Sequence, residues 1–176
     1  MSIEARVNRI LSFIYNTNNG IREKAMKLAE ALQERADLNR KIGQLRQRLN
    51  DNALVQEGDT TPEEPDQLIK ELHSCLKRLE ELIIKINLTN SKTMVGQDTL
   101  TEMIARRDCL RTKLSIYHDL ISNASQKTNR ARFSEIKILS SVDVKKLQKD
   151  YDRFSRQMRQ LDNKIQETNW LTELMD

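Results

Sequence analysis

Residues that form turns and fill globular cores are scarce in this chain. Its 176 residues include only 4 Gly, 2 Pro, 3 Phe, 3 Tyr and 1 Trp. So few turn formers argue against a fold of many short strands, and the abundant straight-chain residues lose little rotamer freedom in a helix. A hydrophobic fraction of 38% suits helices that each bury a single stripe of side chains. We therefore predict an all-α fold.

Long apolar runs, a secretory signal and a dominant charge are also missing. The longest apolar stretch, residues 82–88, is interrupted by Lys85 and Asn87 and is shorter than the roughly 18 residues of a membrane-spanning helix. The first residues lack the cleavage pattern of a signal peptide. The net charge is +4 with the two signs interleaved, which is typical of a solvated helix surface. Cys75 and Cys109 lie within helical patterns, so we interpret them as reduced core thiols of a cytoplasmic protein.

In four stretches of the chain, mostly apolar residues recur at alternating spacings of three and four. This spacing places them on one face of a helix, here called its seam. They predict helices at about residues 26–54, 66–88, 98–122 and 142–172. Short connections between the first three favour antiparallel neighbours. We therefore predict an antiparallel four-helix bundle of coiled-coil-like helices, forming one domain over residues 26–176. The four patterns are Leu28, Ala31, Arg35, Leu38, Ile42, Leu45, Leu49; Ile69, Leu72, Leu76, Leu79, Ile83, Ile86; Leu100, Met103, Arg107, Leu110, Leu114, Tyr117, Ile121; and Val144, Leu147, Tyr151, Phe154, Met158, Leu161, Ile165, Thr168.

Polar residues mark the starts of three of these helices. The second helix starts either with a capping box of Thr61 and Glu64 or with Pro65 as its first residue. Thr99 and Glu102 form a predicted capping box for the third helix. The sequence leaves the choice for the second helix open.

The connection between the third and fourth helices, residues 122–141, is longer than a simple hairpin needs. Ser140 with Asp143 is a candidate cap at its end. Residues 133–138 partly alternate and predict a short extended segment. Loops of this length in compact domains are often functional or contribute to assembly contacts.

Residues 1–25 form a separate N-terminal extension with two interpretations. Residues 22–26 can be encoded as a purine-rich ribosome-binding sequence followed by an ATG, which makes the extension an artefact of start-codon assignment. Alternatively it is a genuine amphipathic arm, since five apolar residues share one helical face. These are Ile3, Val7, Ile10, Leu11 and Ile14.

Four separated strings in this sequence resemble the septicolysin-like family of small bacterial proteins. They are LAEALQERADLNRKIGQLRQRLNDNALVQEG, TLTEMIARRDCLRTKLS, SEIKILSSVDVKKLQK and LDNKIQETNWLTEL. The resemblance covers Met26 to Leu174. It implies a bacterial source and a helical protein that starts at the equivalent of Met26. The family name suggests a cytolysin, but no catalytic or binding residues follow from it.

Motifs for catalysis, cofactors and metals do not emerge from the pattern of residues. A di-iron bundle needs Glu-x-x-His on two helices, and neither His73 nor His118 is preceded by an acid at that spacing. The isolated glycines exclude a glycine-rich phosphate loop. We predict no catalytic, cofactor-binding or metal residues, no identifiable small-molecule ligand, and therefore no enzyme.

Two arginines occupy seam positions where an apolar residue is expected. In an up-down bundle the first and third helices run parallel, so Arg35 and Arg107 are predicted at a similar level. Candidate carboxylates are Glu34, Asp108 and Glu167. This set is interpreted either as a polar layer that fixes register or as an anion site.

A basic surface is predicted within residues 123–149, which hold seven basic and two acidic residues. Its candidate residues are Lys127, Arg130, Arg132 and Lys137. Such a surface suits phosphate groups of nucleic acid or lipid, yet only Phe133 offers a nearby aromatic, so nucleic acid is not favoured.

Broad apolar faces on long helices predict a non-enzymatic assembly protein that forms a homo-oligomer. The first alternative is a membrane-active, cytolysin-like protein, although no helix is apolar enough to support membrane binding. The second is a nucleic-acid or anion-binding module that uses residues 123–149.

Overall fold

A computed structural model of the chain describes residues 25–125 and 139–176, and within them the predicted all-α fold is confirmed. Four long helices carry nearly all of the regular structure. The predicted extension before Met26 and the predicted extended segment at residues 133–138 lie outside the described residues, apart from Ala25. The helices are α1 (Leu28–Asp51), α2 (Pro65–Lys92), α3 (Leu100–Ser125) and α4 (Val144–Leu171).

The four helices form two antiparallel hairpins that meet at one end. Helix α1 packs along α2 and α3 packs along α4, whereas contacts between the two hairpins are few. These contacts surround one buried cluster, here called the junction, which takes residues from all four helices. The junction consists of Leu28, Ala31, Leu82, Ile86, Leu100, Met103 and Ile165. The bundle therefore has four-helix packing at the junction and two-helix packing farther out.

The helix starts follow from local hydrogen bonds. Pro65 is the first residue of α2 and Glu64 precedes it as N-cap, so the proline alternative is correct. The capping box of α3 is confirmed, because the Glu102 amide donates to Thr99 Oγ1 at 3.2 Å and the Thr99 amide to Glu102 Oε2 at 2.7 Å. The predicted role of Ser140 in α4 is wrong. Asp143 alone caps that helix by accepting from the Lys146 amide at 3.1 Å.

The connection between α2 and α3 is a minimal β-hairpin. Helix α2 continues to Lys92, past the predicted end at residue 88, and is followed by β1 (Met94–Val95) and β2 (Asp98–Thr99). The strands pair antiparallel across Gly96, whose φ is +70°. Glycine tolerates this left-handed conformation, which two-residue hairpin turns require.

The segment after α4 closes the junction by crossing to the other hairpin. The Leu174 amide donates to Met26 O at 2.8 Å and the Leu28 amide donates to Thr172 O at 2.9 Å. The Met175 amide donates to Thr89 Oγ1 at 3.0 Å. Residues far apart in the chain are therefore joined by backbone hydrogen bonds where α1 begins and by a bond to a threonine hydroxyl near the end of α2.

Burial is concentrated at the junction and in the α1–α2 hairpin. Helix α3 buries Leu100 and Met103 in its first turn, and no later residue of α3 is fully buried. Between the junction and its N-terminal end, α4 buries only Phe154 among its apolar residues. The α3–α4 hairpin thus leaves much of its apolar surface partly covered.

Candidate functional site

Arg35, Arg107 and Glu167 are not paired with one another among the described residues. Arg35 is exposed. The Arg107 guanidinium lies 3.0 Å from Asp108 and 4.0 Å from Asp162. Glu167 accepts from Lys164 at 2.8 Å on the surface of α4.

The predicted interior layer is therefore absent for a physical reason. It assumed four helices packed over their full length, but the hairpins contact each other mainly at the junction. A seam position beyond the junction, such as that of Arg35, faces solvent instead of a third helix. An exposed guanidinium needs no buried carboxylate or anion, so this set does not form an anion pocket.

The predicted basic surface cannot be placed on the fold. Lys127, Arg130, Arg132 and Lys137 lie outside the described residues. Lys145, Lys146 and Lys149, which belong to the same basic stretch, are exposed on the first turns of α4.

Two ion pairs connect α1 to α2 across the first hairpin, and a third connects α1 to Glu63 just before α2. Arg78 binds Glu34 through two hydrogen bonds of 2.7 and 2.9 Å. Lys41 binds Glu71 at 2.7 Å, and Arg48 contacts Glu63. Their side chains remain about a third to a half exposed, so each pair positions the helices more than it stabilises them.

Hydrogen bonds across this hairpin also change acid–base behaviour. The hydrogen bond from Lys41 holds the pKa of Glu71 below its ordinary value. The hydrogen bond from Arg48 does the same to the pKa of Glu63, which lies just before α2. Sequence reasoning missed these pairs because it followed the apolar seam and not the charges beside it.

An aromatic cluster takes the corresponding place in the second hairpin. The rings of Tyr117 and Phe154 meet edge to face with centroids 5.3 Å apart. Lys113 Nζ lies 3.7 Å from the centroid of Phe154, within the range of a cation–π interaction. This cluster holds α3 to α4 halfway along the hairpin.

Helix α3 carries a second line of small and apolar side chains outside the face that packs against α4. We call it the outer stripe, and its members recur at spacings of four, three, four and four residues. Cys109, which we expected in the core, is exposed on this line. Ile116 is 60% exposed and Leu120 is 39% exposed. The outer stripe consists of Ala105, Cys109, Thr112, Ile116 and Leu120.

Charged residues flank the outer stripe with opposite signs. Arg106 and Lys113 follow stripe residues directly and therefore lie on one side of it, where Arg106 is already paired with Asp98 at 2.7 Å. Asp108 precedes Cys109 and lies on the other side, where Arg111 of the next turn approaches it at 3.7 Å. A heptad search that stops at the first seam of α3 does not find this pattern. The signal was nevertheless present in the sequence.

A cleft of about 570 Å³ adjoins the outer stripe between α3 and α4. Its walls combine aliphatic side chains, amides, two bases and the Cys109 thiol. Such a lining suits the packing of another protein's side chain more than proton transfer. The lining residues are Arg106, Cys109, Leu110, Lys113, Gln157, Gln160 and Leu161. Within residues 25–125 and 139–176 no group of three or more metal-ligating side chains comes together.

Residues 35–174 match the family described as "Family of unknown function (DUF6847)". The chain belongs to this family. A solved structure from Corynebacterium diphtheriae, described as a functionally unknown conserved protein, is 38% identical. The alignment covers 86% of this chain and 100% of that one, with a TM-score of 0.82. No curated protein matches.

The resemblance to the septicolysin-like family was wrong. The match to DUF6847 spans all but the first turns of the helical domain, and the similar structure carries no cytolysin description. Strings rich in Leu, Arg, Lys and Gln at heptad spacing satisfy many helical families, so they were a poor discriminator. The idea of a cytolysin-like protein rested on that name and falls with it. Among the helices that the structure describes, none combines the length and the apolar character needed to cross a bilayer.

Proposed function

We propose that this member of DUF6847 is a non-enzymatic helical assembly protein of the cytoplasm, and that it forms a homo-oligomer through the outer stripe of α3. One observation carries the proposal: α3 has apolar side chains on two faces, and only the inner face is covered by α4. Ile116, at 60% exposure, lies near the centre of the uncovered face.

Exposed apolar residues alone would not support this proposal, because soluble proteins expose many of them singly. The outer stripe differs because its members follow helical spacing over four turns and adjoin a cleft. A continuous apolar line on a helix whose opposite face is already packed is typical of a helix that contacts another protein. Burying an isoleucine or leucine side chain fully stabilises a contact by roughly 1.5–3 kcal/mol.

A second copy of the chain is the occupant that the charges favour. Lys113 flanks the outer stripe on one side and Asp108 on the other, so a second copy can place each of them beside an opposite charge. A partner of uniformly acidic or basic character would match one side and oppose the other.

Cys109 supports the choice of compartment. It is a free, exposed cysteine in the stripe itself, and such thiols persist in reducing surroundings. The proposed non-enzymatic role draws support from the cleft lining, in which amides and aliphatic side chains predominate.

Sedimentation velocity over a range of protein concentrations tests the proposal. We expect the wild-type chain to form a discrete oligomer and Ile116→Asp to remain a protomer, since an aspartate would have to be buried. Ile84→Asp is the matched control, because Ile84 is an isoleucine of α2 with 59% exposure outside the stripe. The proposal would be overturned if the wild-type chain remained a protomer at every concentration. It would also be overturned if Ile116→Asp and Ile84→Asp weakened the oligomer equally.

A further inference from the structure

The outer stripe also determines how two copies would lie against each other. We infer that α3 pairs with α3 of a second copy in parallel, about a two-fold axis that runs between the two helices, with Cys109 facing the partner's Cys109. This inference rests on the proposed self-association and adds its geometry.

Successive positions of the stripe behave like the core of a short two-stranded coiled coil. Ala105, Cys109, Thr112 and Ile116 alternate spacings of four and three, which keeps them on one side of a helix. All four are exposed. They span 12 residues, or about 18 Å at 1.5 Å per residue.

The charged flanks distinguish parallel from antiparallel pairing. Lys113 lies on one side of the stripe and Asp108 on the other, while Arg106 is already paired with Asp98. In a parallel pair, a two-fold rotation brings the acidic side of each helix beside the basic side of the other. In an antiparallel pair, each side meets its own copy, so acid faces acid and base faces base. Charge complementarity therefore favours the parallel arrangement.

One cross-copy ion pair follows from the spacing. In parallel two-stranded coiled coils, a flanking residue approaches the partner's residue five positions later, on the opposite flank. Asp108 would thus meet the partner's Lys113, twice by symmetry.

Both groups are exposed, and each would leave contacts within its own chain to form the new pair. The Asp108 side chain is 54% exposed and contacts Arg107 and Arg111 of its own helix. Lys113 is exposed and its Nζ lies over the Phe154 ring.

Two acids set the length of the contact. Glu102 lies seven residues before Cys109 and Asp119 lies seven residues after Thr112, and at each position two carboxylates would face each other in a parallel pair. The stripe is therefore effective only between them, over about three turns. We expect a weak dimer that forms with rising concentration, because a contact of this size is small for a permanent complex.

Oxidative cross-linking of the full chain tests the orientation. Disulfides form only when two cysteines approach with Cα atoms roughly 4.4–6.8 Å apart. We expect wild-type protein to cross-link through Cys109, and Cys109→Ser, which keeps the buried Cys75, to lose the product. In Cys109→Ser/Thr112→Cys the new thiol should cross-link again, because core positions face their own copies in a parallel pair. An antiparallel pair would instead give a mixed disulfide between Cys109 of the wild-type chain and the new thiol of Cys109→Ser/Thr112→Cys when the two chains are combined.

Charge exchange gives an independent readout. Asp108→Lys and Lys113→Asp should each raise the dissociation constant about tenfold, since each turns two attractions into repulsions. The double variant should return it to within about threefold of wild type. If the wild-type chain is a protomer at every concentration, the proposed self-association fails as well. If a dimer forms without either self-cross-link, or if the double variant is not rescued, the parallel arrangement alone is overturned.

Discussion

The two hairpins have helices of similar length and the same heptad spacing, yet different interactions hold them together. Along the first hairpin, two ion pairs join α1 to α2 and a third joins α1 to Glu63 just before α2, and they flank a small core of Leu45, Leu68 and Cys75. Between α3 and α4, the edge-to-face pair of Tyr117 and Phe154, a wider ring contact of His118 with Tyr151 at 6.4 Å and one 4.0 Å ion contact take their place. Heptad spacing locates the helices but does not settle which side chains face the neighbour. In α2 the predicted seam residues Ile69 and Leu76 are exposed, whereas Leu68 and Cys75 beside them are buried.

This difference predicts unequal local stability. The first hairpin has buried aliphatic side chains along its length, and hydrophobic burial is the main source of stability. The second hairpin depends on Phe154 and on the second copy of the chain that we propose to cover its outer stripe. We therefore expect the α3–α4 hairpin to open more readily in the isolated protomer.

The largest effect should come from the one region that both hairpins share. Leu82 is fully buried in the junction, so Leu82→Ala should lower the free energy of unfolding by about 4 kcal/mol through lost burial and a residual cavity. Urea titration followed by circular dichroism measures it. Ile84→Ala, on the exposed side of α2, should cost less than about 1 kcal/mol. Equal losses would show that the junction does not hold the hairpins together.

A smaller but more local effect is expected at Phe154. Phe154→Ala should cost about 3 kcal/mol and should speed amide hydrogen exchange in α3 and α4 beyond the junction, leaving α1 and α2 near wild-type rates. Phe154→Leu keeps most of the buried apolar surface, so its stability and its exchange rates should fall between those of the wild type and Phe154→Ala. Equal acceleration in all four helices would contradict the independence of the hairpins.

The ion pairs of the first hairpin should matter less. Arg78→Met removes the pair with Glu34 and should cost less than about 1 kcal/mol, because both side chains are partly solvated. The loss should shrink further at high salt, since screening already weakens an exposed pair. Urea titrations at two salt concentrations measure this. If Arg78→Met lowered the free energy of unfolding as much as Phe154→Ala, the ion pairs would hold the first hairpin as firmly as Phe154 holds the second, contrary to our expectation.

The smallest effect concerns pH. Because the pKa of Glu71 is lowered in the folded chain, its contribution to stability is present above the unfolded value of 4.5 and is lost as the pH falls through the folded value. Acidification below the unfolded value should therefore loosen α1 from α2. Faster amide hydrogen exchange in these two helices as the pH falls would detect the change. Glu71→Gln should remove part of this pH dependence. A pH response unchanged in that variant would contradict the assignment.

The sequence predicted the helices well and their mutual arrangement only in part. Heptad spacing identified all four helices, and the Thr99–Glu102 capping box placed the start of α3. Full-length packing of four helices was assumed, however, which put Arg35 in an interior that the structure does not form. The distance over which two hairpins stay in contact depends on side-chain shapes at the junction, and a period of 3.5 residues does not contain that information.

The candidate site was missed for a related reason. Arg107 sits on the inner seam and drew attention to that face of α3, whereas Cys109 and Ile116 lie on the opposite face at the same periodicity. A helix with two apolar lines gives a weak amphipathic signal, because the two lines partly cancel. Searching for a second pattern after removing the first would have found the outer stripe.

The hydrogen bonds that join residues 172–175 to Met26, Leu28 and Thr89 impose an order on folding during protein synthesis. Each hairpin can form from neighbouring segments as soon as its own two helices have left the ribosome. The segment that fastens one hairpin to the other is translated only after all four helices. Contacts of such large sequence separation form slowly compared with local ones. The nascent chain should therefore pass through a stage of two tethered hairpins with an open junction, and chaperones could bind its apolar side chains during that stage.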